Sequence, residues 1–368
     1  MTTSSTPNRK QLVLLGAGRA HVQVLKSLTR LGAGDVNVTL VAPYPQYVES
    51  TMLAGYVAGQ YAPEDLCVPL NSLVETSGVD SLMTQVLGLD PVARQVQLAG
   101  GAVLSYDVLS IDEEPVSDRA AYEAAIPGAS RNALFMHPNA AFVQLWPRLC
   151  ELAQQRALHV AVIGASLAAA ELAMAAAPVL AAPYGSRVTW IAGNVQGQPL
   201  LVGEPPKLGQ RILARLKRLN VTVLQDYCVG LDGNSAQLAS GASLQCDAPI
   251  ITSDTGYPAW LLQSGLQLTE SGVPQVNERL QSDSHRQVFI VPPDAGAEYG
   301  PVLNANLHAA LNGTPFSAAP RVARPRAVVS GAGQAIAVWG PFGLEGRTVW
   351  HRLNRRNRKQ LAALFMLA

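Results

Sequence analysis

Two short glycine-bearing stretches carry the residue types and spacing that can hold a phosphate. The first lies in Gln11–Leu28, where the apolar run Leu12–Leu15 meets Gly16-Ala17-Gly18-Arg19-Ala20 and then residues with helical apolar spacing. A strand, a tight turn and a helix head follow from that order. Free N–H groups and the dipole at such a head attract a pyrophosphate. Gly16 permits the turn, Gly18 lets a phosphate approach the backbone, and Ala20 falls where helix and strand pack closely. The spacing is G-x-G-x-A, one residue tighter than G-x-G-x-x-G. A second copy strengthens it: His159–Ala173 has a strand, Val160–Ile163, then Gly164-Ala165-Ser166, then a helix carrying Glu171. Each residue also has a plainer reading. Gly16 and Gly18, or Gly164 and Ser166, could serve only a tight turn, and Glu171 could cap or pair within its helix.

Other chemistries find little support. The four cysteines, Cys67, Cys150, Cys228 and Cys246, are scattered with no C-x-x-C, which argues against a dithiol relay and for a reduced, cytoplasmic setting. No His, Cys, Asp and Glu cluster has metal-ligand spacing, so no metal is expected. A net charge of +1 over 368 residues argues against a nucleic-acid partner. No nucleophile with a partnered base is evident.

The elements that must position these turns read as a duplicated α/β plan. Residues 1–10 are small, polar and expected to be disordered, without the apolar core of a signal peptide. Val36–Val41 is the second strand of the first unit, ending at Ala42 where an acid usually holds a ribose. Residues 43–71 read as loop and helix, Thr84–Leu98 as a hairpin, and Tyr106–Ser110 as a strand returning to the sheet. The segment 115–145 reads as a connector. In the second unit, Arg187–Ile191 is a strand, also without a terminal acid. Pro205–Leu219 is a helix and Val221–Leu224 the next strand, with a meander running to Ile251. Ala259–Ser264 has helical character, Val288–Val291 is a buried strand and Gly300–Gly313 a helix. Residues 327–349 read as strands with glycine turns, and Arg352–Ala368 as a terminal helix. The apolar tract Val160–Pro183 has the length of a membrane span, but Gly164 and Pro178 favour a buried strand-turn-helix.

In this order the motifs resemble the flavin-dependent pyridine-nucleotide oxidoreductases, nearest the branch akin to type II NADH dehydrogenases and to the flavoprotein-like domain fused to selenide, water dikinase. The resemblance runs from about Gln11 to Phe365. It rests on LVLLGAGRAHVQVL, Ser50–Gly55 with Val57-Ala58-Gly59, Tyr106–Asp112, Ile126–Ala129, the second glycine turn with Glu171-Leu172, Asp254-Thr255-Gly256, Leu280-Gln281-Ser282 and Val288-Phe289. It implies two Rossmann-like domains with a small C-terminal α+β region. Residues 11–129 and 256–315 would form an FAD-binding-type domain, 130–255 an NAD(P)-binding-type domain, and 316–368 an interface or membrane-facing region. FAD and NAD(P)H are the implied cofactors, with hydride passing from nicotinamide to flavin and electrons to a quinone or another small-molecule acceptor. Gly16, Gly18, Ala20, His21, Asp112, Gly164, Ser166, Glu171, Gly256 and Asp294 are the implied cofactor-binding residues. His21 could equally be a first-turn helix residue and Asp294 an ordinary turn aspartate.

Three departures oppose that expectation. Glu113-Glu114-Pro115 replaces a small glycine-containing turn and brings carboxylates toward a pyrophosphate. Pro292-Pro293 precedes Asp294 where the resemblance implies Gly-Asp, removing two backbone donors. Ser166 stands for a second glycine. The alternative reading is therefore a catalytically degenerate relative that has lost a cofactor and acts as a binding or scaffold protein. The basic tail, Arg352 to Lys359 before Leu361–Leu367, either packs on its own domain or a second subunit, as in a homodimer, or lies peripherally on the inner face of a membrane. Its short apolar face favours packing.

Overall fold

The structure is a computed structural model that describes residues 9–31, 36–114, 116–194, 197–252, 257–270, 272–292, 295–320, 326–339 and 342–365. The first unit opens with β1 (Lys10–Leu15), α1 (Arg19–Leu31) and β2 (Val36–Val41), followed by β3 (Gln46–Val48), α2 (Ser50–Val57), β4 (Cys67–Pro69), α3 (Asn71–Ser77) and β5 (Asp80–Leu82). The antiparallel β6 (Val86–Asp90), β7 (Gln95–Leu98) and β8 (Val103–Ser105) precede β9 (Val108–Ile111). The connector holds α4 (Arg119–Ala125), α5 (Ala129–Asn132), β10 (Leu134–Phe135) and α6 (Asn139–Ala153).

The second unit repeats the plan with β11 (His159–Ile163), α7 (Leu167–Ala181), β12 (Arg187–Ile191), α8 (Pro206–Arg218), β13 (Thr222–Leu224), the antiparallel β14 (Cys228–Leu231), β15 (Ser235–Leu238) and β16 (Ser243–Gln245), and β17 (Ala248–Ile251). Then come α9 (Ala259–Leu262), β18 (Val288–Ile290), α10 (Tyr299–Asn312), a sheet of β19 (Arg326–Val329), β20 (Ala335–Trp339) and β21 (Phe342–Gly346), and α11 (Arg347–Phe365).

Two parallel sheets form the frame. Among the described residues one has the order β18-β9-β1-β2-β5 and the other β10-β17-β11-β12-β13. Their central strands are continuous apolar runs because both faces of each sheet are covered, one by helices and the other mainly by the antiparallel strands β6–β8 or β14–β16: Leu12–Leu15 and Val160–Ile163 are buried throughout. β1 lies between β2 and β9, and β11 between β12 and β17. Each unit thus has a switch point at the carboxyl end of its glycine-turn strand, where a crevice opens and ligands bind in sheets of this type.

The connector carries more regular structure than its sequence implies, because Asp118 caps α4 through the N–H groups of Ala120 and Ala121 and α6 begins already at Asn139. The tract Val160–Pro183 is a strand, a turn and the 15-residue α7, whose alanines are buried from Ala169 to Ala177. Among the described residues no helix is long and apolar enough to cross a membrane. The terminal helix α11 begins at Arg347, and its Trp350, Leu361 and Leu364 are buried against the rest of the chain.

Candidate functional site

The turn between β1 and α1 is held by backbone. Gly16 N–H donates to Val41 O at 2.8 Å, and Gly16 has a φ of +84° that favours glycine. Gly18 N–H donates to Asp112 O at 2.9 Å, and Asp112 N–H to Leu15 O at 2.9 Å, so the end of β9 lies directly along the turn. A Cβ on Gly18 would stand 2.3 Å from the Asp112 carboxyl carbon, and one on Gly16 would stand 2.7 Å from Glu113 Cα. Neither glycine can be replaced without displacing the β9 end.

The head of α1 meets an anion that the chain itself supplies. His21 N–H donates to Asp112 Oδ2 at 2.9 Å, and the Asp112 carboxylate is buried beside Ala20. A carboxylate is favoured at a helix head for the reason a phosphate is. The His21 ring is fully buried, with Nδ1 2.7 Å from Gly16 O and Nε2 2.8 Å from Ser110 Oγ. A carbonyl can only accept, so Nδ1 carries the proton and Nε2 accepts from the serine. Burial lowers the His21 pKa, the nearby Asp112 charge opposing. His21 therefore ties the turn to β9 as a neutral ring.

Two cavities flank this point. One, of about 390 Å³, lies over Gly16 and Ala17 and is walled by Ala42, Pro43, Tyr44 and Trp260. The other, of about 360 Å³, starts at Gly18, Arg19 and Ala20 and reaches between the units to Glu171 of α7 and Arg356 of α11. Glu113 and Glu114 line both. Sharing these two residues, the adjacent cavities make up a cleft beside the carboxyl ends of β1, β2 and β9.

Among apolar neighbours, the wall of the inner cavity also holds several buried polar side chains. Arg19 forms an ion pair with Glu49, which is 1% exposed, caps α2 through Thr51 N–H and accepts from Tyr47 OH at 3.0 Å. Burial opposes the Arg19 charge, and Tyr47 and Glu49 more than offset it. Burial pushes Glu113 up to about 7. It does the same to Glu114, although the N–H groups of Asn139 and Val48 pull the other way. Glu171 is likewise raised to about 7 by burial while Val329 N–H donates to its Oε1 at 2.5 Å. His137, 8% exposed, is lowered to about 4 by burial. His137 Nδ1 and Asn139 Oδ1 are buried without a hydrogen-bond partner.

The second turn is built differently. Gly164 N–H donates to Ile191 O at 3.1 Å, and a Cβ on Gly164 would meet Thr252 Oγ1 at 2.1 Å. Ser166 caps α7, its Oγ accepting from Ala169 N–H at 3.4 Å. Both lie outside the two cavities, whereas Glu171, one helical turn on, enters the inner one. Gly256 and Asp294 lie outside the described residues, as do residues 1–8 and Pro293. Of the residues that the resemblance implies, Gly16 lines the outer cavity and Gly18, Ala20, Asp112 and Glu171 the inner one, whereas His21 lines neither; Tyr47, Glu49, His137 and Asn139 in the inner wall were not singled out from the sequence. Only the Glu-Ser-Thr run at the start of α2 offered a signal, and it is a weak one.

All four cysteines are free, and burial pushes the Cys67, Cys150 and Cys246 thiols up to about 11. Among the described residues no group of three or more His, Cys, Asp or Glu could hold a metal ion.

Known proteins resemble the chain in sequence and in fold. Residues 10–291 match the family model described as pyridine nucleotide-disulphide oxidoreductase. Type II NADH:quinone oxidoreductases of Staphylococcus saprophyticus and Staphylococcus epidermidis are 30% and 31% identical over 105 residues, 28% of this chain. That match spans 26% of the length of each relative. The sulfide:quinone oxidoreductase of Aquifex aeolicus superposes with a TM-score of 0.74 over 96% of this chain and 91% of its own, at 16% identity. NDH2 of Plasmodium falciparum, solved in complex with NADH, gives 0.74 over 97% and 98% at 12% identity. At those identities the likeness is one of fold.

Proposed function

The chain belongs to the pyridine nucleotide-disulphide oxidoreductase family, and on that premise we propose that it is a flavin-dependent oxidoreductase that takes a hydride from NAD(P)H onto FAD and passes electrons to a quinone or another small acceptor. The observation that carries this reading is the cleft itself. It crosses the switch point of the first sheet and continues to a wall supplied by α7 of the second unit. A dinucleotide fits it in placement and room, one half on each side of the α1 head, provided the carboxyls of Glu113 and Glu114 are neutral in between. Burial raises both carboxyls to about 7, so the form with both neutral prevails only below neutral pH.

Flavin and nicotinamide supply the redox chemistry when bound, and the protein supplies position and surroundings. We assign Gly16, Gly18 and Ala20 to close backbone approach on the flavin side, with His21 and Asp112 holding that turn in shape. Arg19, fixed by Glu49, is the cation nearest the α1 head. Gly164 and Ser166 are assigned to the nicotinamide side, where Glu171, oriented by Val329 N–H, lines the inner cavity and would help hold the cofactor. Gly256 and Asp294 keep their proposed roles without a structural description. Neither β2 nor β12 ends in an acid of the kind that holds a ribose.

The quinone follows from the named activity of the staphylococcal relatives. Contact with an acceptor-bearing membrane is supported at the β20–β21 hairpin, where Trp339 and Phe342 are 72% and 73% exposed. The apolar side of α11 is already packed inward, which leaves that helix a basic outer face. A homodimer is equally open to test by sedimentation.

A second reading has its own observation. Gly18 N–H and His21 N–H are already given to Asp112, so the α1 head has no need of an external anion. On that reading the chain keeps the fold as a binding or scaffold protein. Steady-state oxidation of NADH or NADPH by FAD-loaded protein, with a soluble quinone as acceptor, separates the two. Turnover above that of free FAD supports the oxidoreductase, and its absence at saturating FAD favours the scaffold.

A further inference from the structure

Both cavities of the cleft are lined by the same pair of acids, Glu113 and Glu114. Glu113 follows Asp112 along the glycine turn, its Cα and Cγ both 2.7 Å from where a Gly16 Cβ would stand. Glu114 reaches across the cleft to the N–H groups of Val48, at the end of β3, and of Asn139, at the head of α6. It therefore ties the end of β9 to β3 and to the connector helix α6. Asp112 at the head of α1 and Glu114 at the head of α6 occupy the two places where backbone amides would favour phosphate. The same wall holds His137 Nδ1 and Asn139 Oδ1, both buried and without a hydrogen-bond partner, on residues 8% and 1% exposed. Orphaned polar atoms of that kind imply a ligand or ordered water that completes them.

We propose that Glu113 and Glu114 set the affinity of this cleft for a diphosphate-bearing cofactor through their protonation, the cofactor binding to the form in which both carboxyls are neutral. The inference rests on the flavin reading above. A diphosphate keeps its negative charge across neutral pH, so beside two carboxylates it meets repulsion in a poorly solvated space. Beside two carboxylic acids it meets hydrogen-bond donors. Burial already holds both groups near 7 before any ligand arrives. The other charged and titratable groups facing the pair do not reverse this sign. Arg19 is committed to Glu49 and Arg119 sits over the ring of Phe135. Arg356 of α11 lines the inner cavity, and Asp112 and Glu49 raise Glu114 further. His137 is neutral above about 4, and Glu171 titrates in the same direction as the pair. Binding then takes up protons, and it weakens as pH rises through 7.

The test is equilibrium binding of FAD to the full chain from pH 6.0 to 8.5, read by flavin fluorescence, with calorimetry in two buffers of different ionisation enthalpy to count protons. The wild type is expected to bind at least about tenfold more weakly at pH 8.5 than at 6.0, with net proton uptake. E113Q/E114Q keeps the size of both side chains, Asp112, His137 and Glu171, and is expected to bind with a nearly flat profile. Tight binding by the wild type at both pH values, without proton uptake, overturns the proposal and leaves the flavin reading standing. No binding by either protein at any pH overturns both. The proton count requires only the wild type, so a variant that failed to fold would not shelter the idea.

Discussion

Asp112 and the two glutamates after it decide how the glycine turn works. Gly18 faces the Asp112 carboxyl with its atoms 2.3–2.5 Å from a would-be Cβ, so Gly18→Ala must push the β9 end away. It is expected to destabilise the fold by about 1–3 kcal/mol, the range of overpacking changes, in urea melts followed by circular dichroism. Glu171 supplies a prediction with a sign. Its pKa is near 7 in the fold and ordinary when unfolded, so the folded chain holds a proton that the unfolded chain releases. Its contribution is fully present below the unfolded pKa and is lost as pH rises through about 7. Glu171→Gln keeps an acceptor for Val329 N–H and removes the titration. The variant should therefore gain about 1–3 kcal/mol over the wild type at pH 8 and nothing at pH 4. Equal differences at both pH values would contradict the assignment.

At the scale of elements, the cleft depends on helices brought from far along the chain. Gly55 of α2 lets Tyr61 and Trp350 come together, their rings 5.7 Å apart, since a Cβ there would stand 2.4 Å from Tyr61 Cε2 and 3.1 Å from Trp350 Cη2. Asn357 of α11 donates to Thr51 O at 3.1 Å, and Gln360 accepts from Arg19. Trp350→Ala should cost about 3–5 kcal/mol and free α11 from the cavity wall, detectable as faster amide exchange along that helix. Unchanged exchange would show that α11 is held elsewhere. The strand-turn-helix units were legible in the sequence because apolar runs, glycine turns and caps are local physics. The Asp112 contact with His21, 91 residues away, and the Arg19 pair with Glu49 were not, since no local pattern records which strand end lies beside which helix head. Helix α4 inside the connector was hidden by its polar surface, although Asp118 was a readable cap.

The whole molecule duplicates one α/β plan and sets the copies so that α7 of the second closes the crevice of the first. That duplication was readable from two glycine turns 148 residues apart. The family resemblance was readable from motif order alone, while the fate of the acidic insertion required the coordinates to see what Glu113 and Glu114 touch. Of the two exposed aromatics at the last hairpin, Trp339→Ala with Phe342→Ala should reduce cosedimentation with anionic lipid vesicles several-fold and leave the melting temperature unchanged. Equal cosedimentation would remove the hairpin as the contact.

The central claim is that a flavin sits in the first unit within reach of a nicotinamide from the second. The most direct measurement is the visible absorption spectrum of protein incubated with FAD at pH 6.0, freed of excess by gel filtration, before and after anaerobic addition of NADH or NADPH. Retained flavin bands that bleach on addition are expected. A colourless protein after filtration, with the chain folded by circular dichroism, would contradict it.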